Sequence, residues 1–138
     1  MKISTKGRYS LEFLLDLARH GDQGPISLTD IAERKNISKK YLEQIIPVLN
    51  KSGFLTTVRG AHGGYQLAKS PKDITIADIW FVTENIFSDD TKDESENNPT
   101  FKYIVDGLDN TVKQYLETIT LQDVLEIENN YYSDNYVI

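Results

Sequence analysis

The stretch from Ser27 to Leu67 constrains this 138-residue chain more than any other. Ser27-Leu28-Thr29-Asp30 reads as a capping box. In such a box a hydroxyl and an acid three residues apart satisfy the free backbone N–H groups at a helix start. The box opens a short helix with Leu28, Ile31 and Ala32 inward. Asn36-Ile37 reads as a turn, and Ser38 as the N-cap of a second helix. Leu42, Ile45, Ile46 and Leu49 recur at i, i+3, i+4, i+7, so that helix buries one face. Pro47 should kink or loosen its second half, and Ser52-Gly53 stops it. Two short β-rich runs follow, Phe54 to Val58 and Tyr65 to Leu67, around Arg59-Gly60-Ala61-His62-Gly63-Gly64. That pattern is a hairpin with a projecting, glycine-rich tip. Helix, turn, helix and hairpin predict a mainly α fold with a small β-hairpin wing, a winged helix-turn-helix.

The flanks extend this frame. Thr5 to His20 has helical spacing, with Leu11, Leu14, Leu15 and Ala18 apolar and Tyr9 and Phe13 alongside. Gly21, Gly24 and Pro25 end it. Pro71-Lys72-Asp73 is a linker. Thr75-Ile76-Ala77-Asp78 is a second capping box, for a helix through Ile79 and Val82 towards Glu84. Ser88 to Asn98 contains no apolar residue, cannot offset its ordering entropy by burial, and is expected to be a mobile loop. A long helix is expected from Thr100 to about Thr118, with the stripe Ile104, Leu108, Val112, Tyr115, Leu116 and Ile119. Thr120-Leu121-Gln122-Asp123 opens a short helix through Val124, Leu125 and Ile127. Tyr136-Val137-Ile138 reads as a short strand or an apolar tail. The expected organisation is the winged motif over 1–84, an acidic loop over 85–99, and a long helix with a C-terminal segment over 100–138.

Composition matters where it divides the chain. The net charge of −6 argues at first against a nucleic-acid partner. Residues 1–80 carry 12 lysines and arginines against 8 acids, a balance of +4. Residues 81–138 carry 3 against 13, a balance of −10. One half can face a polyanion while the other stays clear of it. The chain has no cysteine, which excludes disulfides, thiolate metal sites and thiol catalysis. No apolar run is long enough to cross a membrane, and the first residues do not form a signal peptide, so a cytoplasmic protein is expected. The two histidines, His20 and His62, lie in separate segments and no acid–base or nucleophile pair accompanies them; an enzyme is not expected.

A recognition helix presents its first residues to base edges in the major groove. Outward positions there are Ser38, Lys39, Lys40, Tyr41, Glu43 and Gln44. The lysines can neutralise phosphates. Glu43 and Gln44 have the acceptors and donors to read cytosine or adenine. Arg59 and His62 sit on the wing, where an arginine can enter a narrow minor groove. Lys2, Lys6 and Arg8 add charge at the first helix. Some have a plainer reading: Lys39-Lys40 as a solvated face, Glu43 as a surface acid, Tyr41 as packing, and the wing glycines as positive-φ positions; Arg59, at the strand–loop junction, has the strongest functional claim.

The segments KISTKGRYSLEFLLDLA, ISLTDIAERKNISKKYLEQIIPVLNKSGFL and VRGAHGGYQLAKSP resemble the Rrf2 family of bacterial winged-helix regulators, the family of IscR, NsrR and CymR. The match is dense over residues 2–84 and looser through TVKQYLETITLQDV. The resemblance is strongest to the cluster-free branch that represses cysteine metabolism. It implies a homodimer held by the long helix through Ile104, Leu108, Val112, Tyr115, Leu116 and Ile119. It also implies a palindromic operator in double-stranded DNA, contacted by Ser38, Lys39, Tyr41, Glu43 and Gln44 of the helix. Arg59, Gly60, His62 and Gly63 of the wing, and Thr5, Lys6 and Arg8 of the first helix, complete the implied contacts. The chain departs from cluster-binding relatives where their cysteines lie, about Phe87 to Pro99. Asp89, Asp90, Asp93, Glu94 and Glu96 stand there, residue types for a hard cation but without a calcium-loop pattern. No cofactor or metal is expected. The sequence leaves the source of a signal open between a small-molecule effector, a cytoplasmic metabolic enzyme and none at all. The alternative function is a protein-interaction module docking on such an enzyme, with DNA binding secondary.

Overall fold

The computed structural model describes residues 2–84 and 98–136, with side chains described as far as Tyr132. The acidic stretch expected to be mobile lies outside the described residues apart from Asn98, as do Val137 and Ile138.

Helix α1 spans Thr5–Arg19, and the Ser4 hydroxyl caps it by accepting from the Gly7 N–H at 3.0 Å. Its buried face is Phe13, Leu14, Leu15 and Leu17, together with the polar Ser10 and Asp16. Leu11 and Ala18, expected inside, are only half-buried. Helix α2 spans Leu28–Lys35. Only one half of its predicted capping box forms, the Asp30 N–H donating to Ser27 Oγ at 3.1 Å. Asn36 closes α2 in the left-handed conformation at φ 53°, which asparagine tolerates better than most residues. Helix α3 spans Lys39–Lys51 behind the Ser38 cap, and it continues through Pro47, whose ring lies on the exposed side.

Strands β1 (Leu55–Val58) and β2 (Gly64–Leu67) pair antiparallel, Leu55 opposite Leu67 and Val58 opposite Gly64. Ile26, just before α2, adds a rung on the other edge of β2 by exchanging two backbone bonds with Tyr65, 3.0 and 2.8 Å. This rung fixes the wing to the helix-turn-helix and explains Gly64. A Cβ there would lie 2.2 Å from the Ile26 carbonyl oxygen.

Helix α4 (Ile76–Thr83) starts at a complete capping box, Thr75 N–H to Asp78 at 2.9 Å and Asp78 N–H to Thr75 at 3.1 Å. Helix α5 spans Pro99–Glu117. It begins one residue before the sequence suggested, because Asn98 accepts from the Thr100 and Phe101 N–H groups and Pro99 suits the first helical position. Helix α6 spans Leu121–Tyr136 and also starts at a complete box, Thr120 with Asp123. It is much longer than expected, and Tyr136 is helical instead of extended. Beyond Leu125 the apolar residues Ile127, Tyr131 and Tyr132 are exposed, so no buried period marks the helix; no glycine or proline interrupts it either.

A single apolar core joins both ends of the chain. Leu116, Leu121 and Leu125 pack with Phe13, Leu42 and Ile79. The α5–α6 junction is tied to the start of α4 by two backbone bonds of 2.9 Å, Ile76 N–H to Ile119 and Leu121 N–H to Ile74. Arg19 of α1 pairs with Glu128 of α6. Fully burying each core leucine, isoleucine or phenylalanine contributes about 1.5–3 kcal/mol.

Candidate nucleic-acid interface

The helix-turn-helix is held by one charged contact across its back. Asp16 is 2% exposed and accepts two N–H groups from Arg34, at 3.0 and 2.8 Å. These bonds, opposed by partial burial, raise the Arg34 pKa above its already high ordinary value. The pair ties α1 to α2.

At the start of α3, Ser38 accepts from the Tyr41 N–H at 3.1 Å. Its hydroxyl is therefore engaged with its own helix, although the residue is exposed. Lys39, Lys40, Glu43 and Gln44 are all exposed. Tyr41 is half-buried, its ring edge-on to Tyr9 of α1 at 5.3 Å, so packing is its structural role. The Arg8 guanidinium lies over the Tyr9 ring at 5.0 Å. The order Arg8, Tyr9, Tyr41 thus brings the start of α1 beside the start of α3. Thr5 is exposed and Lys6 half-exposed in the same first turn.

Arg59, Gly60 and His62 are exposed on the wing, and Gly63 is half-buried. The Gly63 N–H donates to the Gly60 carbonyl at 3.0 Å and closes the tip. Among the described residues, the chain's ion pairs engage Arg19, His20, Arg34, Lys102 and Lys113. Lys6, Arg8, Lys39, Lys40 and Arg59 form none, so their charge is not neutralised internally and is available to a polyanion.

The stripe on α5 divides. Leu116 is 6% exposed and belongs to this chain's own core; Ile119 and Val112 are partly covered by it. Leu116 is thus not the surface residue that the stripe suggested. Ile104, Leu108 and Tyr115 are 62%, 55% and 64% exposed, and Phe101 joins them on the same face.

Four residues at the start of α1 escaped the sequence reading. Glu84, 8% exposed, accepts from the Ser4 N–H at 3.2 Å and from the Ser4 hydroxyl at 2.6 Å. The Trp80 indole N–H donates to the Gly7 carbonyl at 3.1 Å. A Cβ on Gly7 would fall on the Glu84 carboxylate. The one available signal was Gly7 itself, since a glycine inside a helix weakens it unless something approaches closely.

The chain matches the model of the Rrf2 family, described as "Iron-dependent Transcriptional regulator", over residues 3–127. It is 40% identical over 124 residues to the HTH-type transcriptional regulator CymR of Bacillus subtilis, covering 90% of this chain and 89% of that one. It is 49% identical over 86 residues to Protein rrf2 of Nitratidesulfovibrio vulgaris, covering 62% of this chain and 57% of that one. The chain therefore spans little more than half the length of the latter relative. The solved structure of CymR (YrzC), the global cysteine regulator of B. subtilis, superposes with a TM-score of 0.72 at 34% identity, covering 92% of this chain and 98% of that chain.

Proposed function

Because this chain belongs to the Rrf2 family and is thereby a DNA-binding transcriptional regulator and not an enzyme, we propose that it acts as a homodimeric repressor on a palindromic operator. The observation that carries this reading is the set of cations without an ion pair among the described residues, at the starts of α1 and α3 and on the wing. Lys6, Arg8, Lys39 and Lys40 face phosphates, Glu43 and Gln44 face base edges in the major groove, and Arg59 and His62 follow an adjacent groove. Thr5 and Ser38 have hydroxyl hydrogens to donate to the same phosphates, and Gly60 and Gly63 let the wing backbone approach the groove. Residues 1–84 bear the DNA surface and residues 100–138 the dimer surface, although both share one core. Phe101, Ile104, Leu108 and Tyr115 form an apolar strip on α5 that a second copy covers.

The family description names iron, and the fit can be tested on donors. Iron–sulfur clusters are held by thiolates, and this chain has none. Among the described residues, no group of three histidines or carboxylates is placed to hold a metal ion. The five acids from Asp89 to Glu96 lie outside those residues. A thiolate-held cluster does not fit, and no step here runs through iron. A signal enters by another route. A cleft of about 460 Å³ between the wing base, α4 and α5, lined by Phe54, Lys69, Phe81 and Lys113 among others, has the size for a small effector. The B. subtilis neighbour is a global cysteine regulator, which makes cysteine metabolism the first place to look for target genes.

The test is fluorescence anisotropy with duplexes taken upstream of the protein's own and neighbouring genes. Specific binding at moderate salt, weakened at least tenfold by Arg59→Ala or Gln44→Ala, is expected. Equal affinity for every duplex, unchanged by both substitutions, contradicts the reading. A protein partner captured in stoichiometric amount, with no specific duplex bound, favours the interaction-module alternative.

A further inference from the structure

The carboxylate of Glu84 is an unexpected group to find beside a DNA-facing surface. It lies at the start of α1, within a turn of Lys6 and Arg8, and a negative charge there repels phosphates. It is nonetheless buried, at 8% exposure, with three donor contacts, all from Ser4: the backbone N–H at 3.3 and 3.2 Å to the two oxygens, and the hydroxyl at 2.6 Å. The same Ser4 hydroxyl accepts from the Gly7 N–H at 3.0 Å. Glu84, Ser4 and the first turn of α1 are thus one hydrogen-bonded unit. The Trp80 indole closes it from the other side at the Gly7 carbonyl. Gly7 is what allows the approach, since any side chain there would displace the carboxylate.

Helix ends fray, because their first N–H groups lack intrahelical partners. A carboxylate also suits the positive end of a helix. Here both effects hold the one helix start that carries Thr5, Lys6 and Arg8. Arg8 in turn rests on Tyr9, which packs on Tyr41 of α3.

We propose that Glu84, acting through Ser4, is a positioning residue for DNA binding. It fixes the first turn of α1 so that Lys6 and Arg8 meet phosphates in register with the base-facing side of α3. Trp80 and Gly7 complete the seat. The proposal rests on the reading that the start of α1 meets DNA. It makes a prediction opposite to simple charge arithmetic: removing this acidic side chain, and with it the acceptor for Ser4, weakens binding to a polyanion.

The experiment measures affinity of the full chain for a duplex selected from a random pool, across a series of salt concentrations. The unchanged protein is compared with Lys6→Ala/Arg8→Ala, Glu84→Ala, all three substitutions together, and Glu84→Gln. Each phosphate neutralised contributes about 0.9 to the slope of log affinity against log salt. Lys6→Ala/Arg8→Ala should lower that slope by roughly 2 per protomer for two lost contacts. Glu84→Ala should weaken binding roughly tenfold and lower the slope by roughly 1–2, as lost phosphate contacts do. In the Lys6→Ala/Arg8→Ala background it should add less than about twofold, the sign of two changes acting on one unit. Glu84→Gln keeps an acceptor for Ser4 and should stay within about threefold of the unchanged protein. Ser4→Ala, which removes the hydroxyl's bonds to Glu84 and to the Gly7 N–H while keeping the backbone N–H contact, carries the same comparison if Glu84→Ala does not fold. Tighter binding by folded Glu84→Ala, or an unchanged salt slope, overturns the proposal. No effect of Lys6→Ala/Arg8→Ala instead overturns the underlying placement of α1 on DNA.

Discussion

Replacing Arg34 by methionine tests how the helix-turn-helix is held. The substitution keeps much of the stem and removes both N–H groups that Asp16 accepts. Asp16 is 2% exposed, so its carboxylate is left buried, with only the His20 imidazole nearby at 3.7 Å. Breaking a fully buried pair on one side costs about 3–5 kcal/mol. The Arg34 side chain is 37% exposed, so water can reach the vacated position and the loss falls to about 2–3 kcal/mol. For a chain of this length that corresponds to a melting temperature lower by roughly 6–12 °C. The raised Arg34 pKa gives the pH dependence. A base whose pKa is raised on folding stabilises below its unfolded pKa, and that contribution is lost only as pH rises through the folded value. Both lie above any working range, so Arg34 itself adds no pH dependence between pH 5 and 9. Scanning calorimetry at fixed protein concentration measures the effect. Asp16→Leu/Arg34→Met, which removes both charges, should recover most of the loss. A melting temperature for Arg34→Met within 2 °C of the unchanged protein would refute the view that this pair locks α1 to α2.

Three further outcomes follow from particular contacts. Gly64→Ala places a methyl group 2.2 Å from the Ile26 carbonyl and should open the Ile26–Tyr65 rung. The cost is about 2 kcal/mol for two backbone bonds, read as faster amide exchange at Tyr65. Leu108→Asp changes a side chain 55% exposed within its own chain, so circular dichroism should be retained while light scattering falls from twice 15.7 kDa to 15.7 kDa; an unchanged dimer mass counts against the α5 interface. Thr75→Ala removes one side of a complete capping box and should cost about 1 kcal/mol in urea unfolding, with no change in DNA affinity.

The winged motif was legible because its determinants are local. Serine and threonine caps, the Asn36 turn, the Ser52-Gly53 stop and the glycine-rich tip placed α2, α3, β1 and β2 to within about a residue. The exposure of Lys39, Glu43, Gln44 and Arg59 followed from the same helix and hairpin periods. Contacts between distant positions left no such trace. Glu84 and Ser4 are 80 residues apart, and neither residue type announces the other. Asp16 and Arg34 are 18 residues apart on different helices, and the helix periods mark neither. The α5 stripe marked the apolar positions but not their division, since Leu116 packs inward while Leu108 does not; where α5 docks decides that, and its period does not. The end of α6 was unreadable for the opposite reason, having no buried period at all.

The central claim is that the exposed face of α3 and the wing read a two-fold symmetric DNA sequence. Sequencing the DNA captured with the protein from its own cell tests it most directly, with Glu43→Ala/Gln44→Ala as the comparison. The account predicts an enriched palindrome whose half-sites present successive major grooves on one side of the duplex, and loss of that enrichment in the variant. Captured DNA without a common motif, or the same motif recovered equally by the variant, would contradict it.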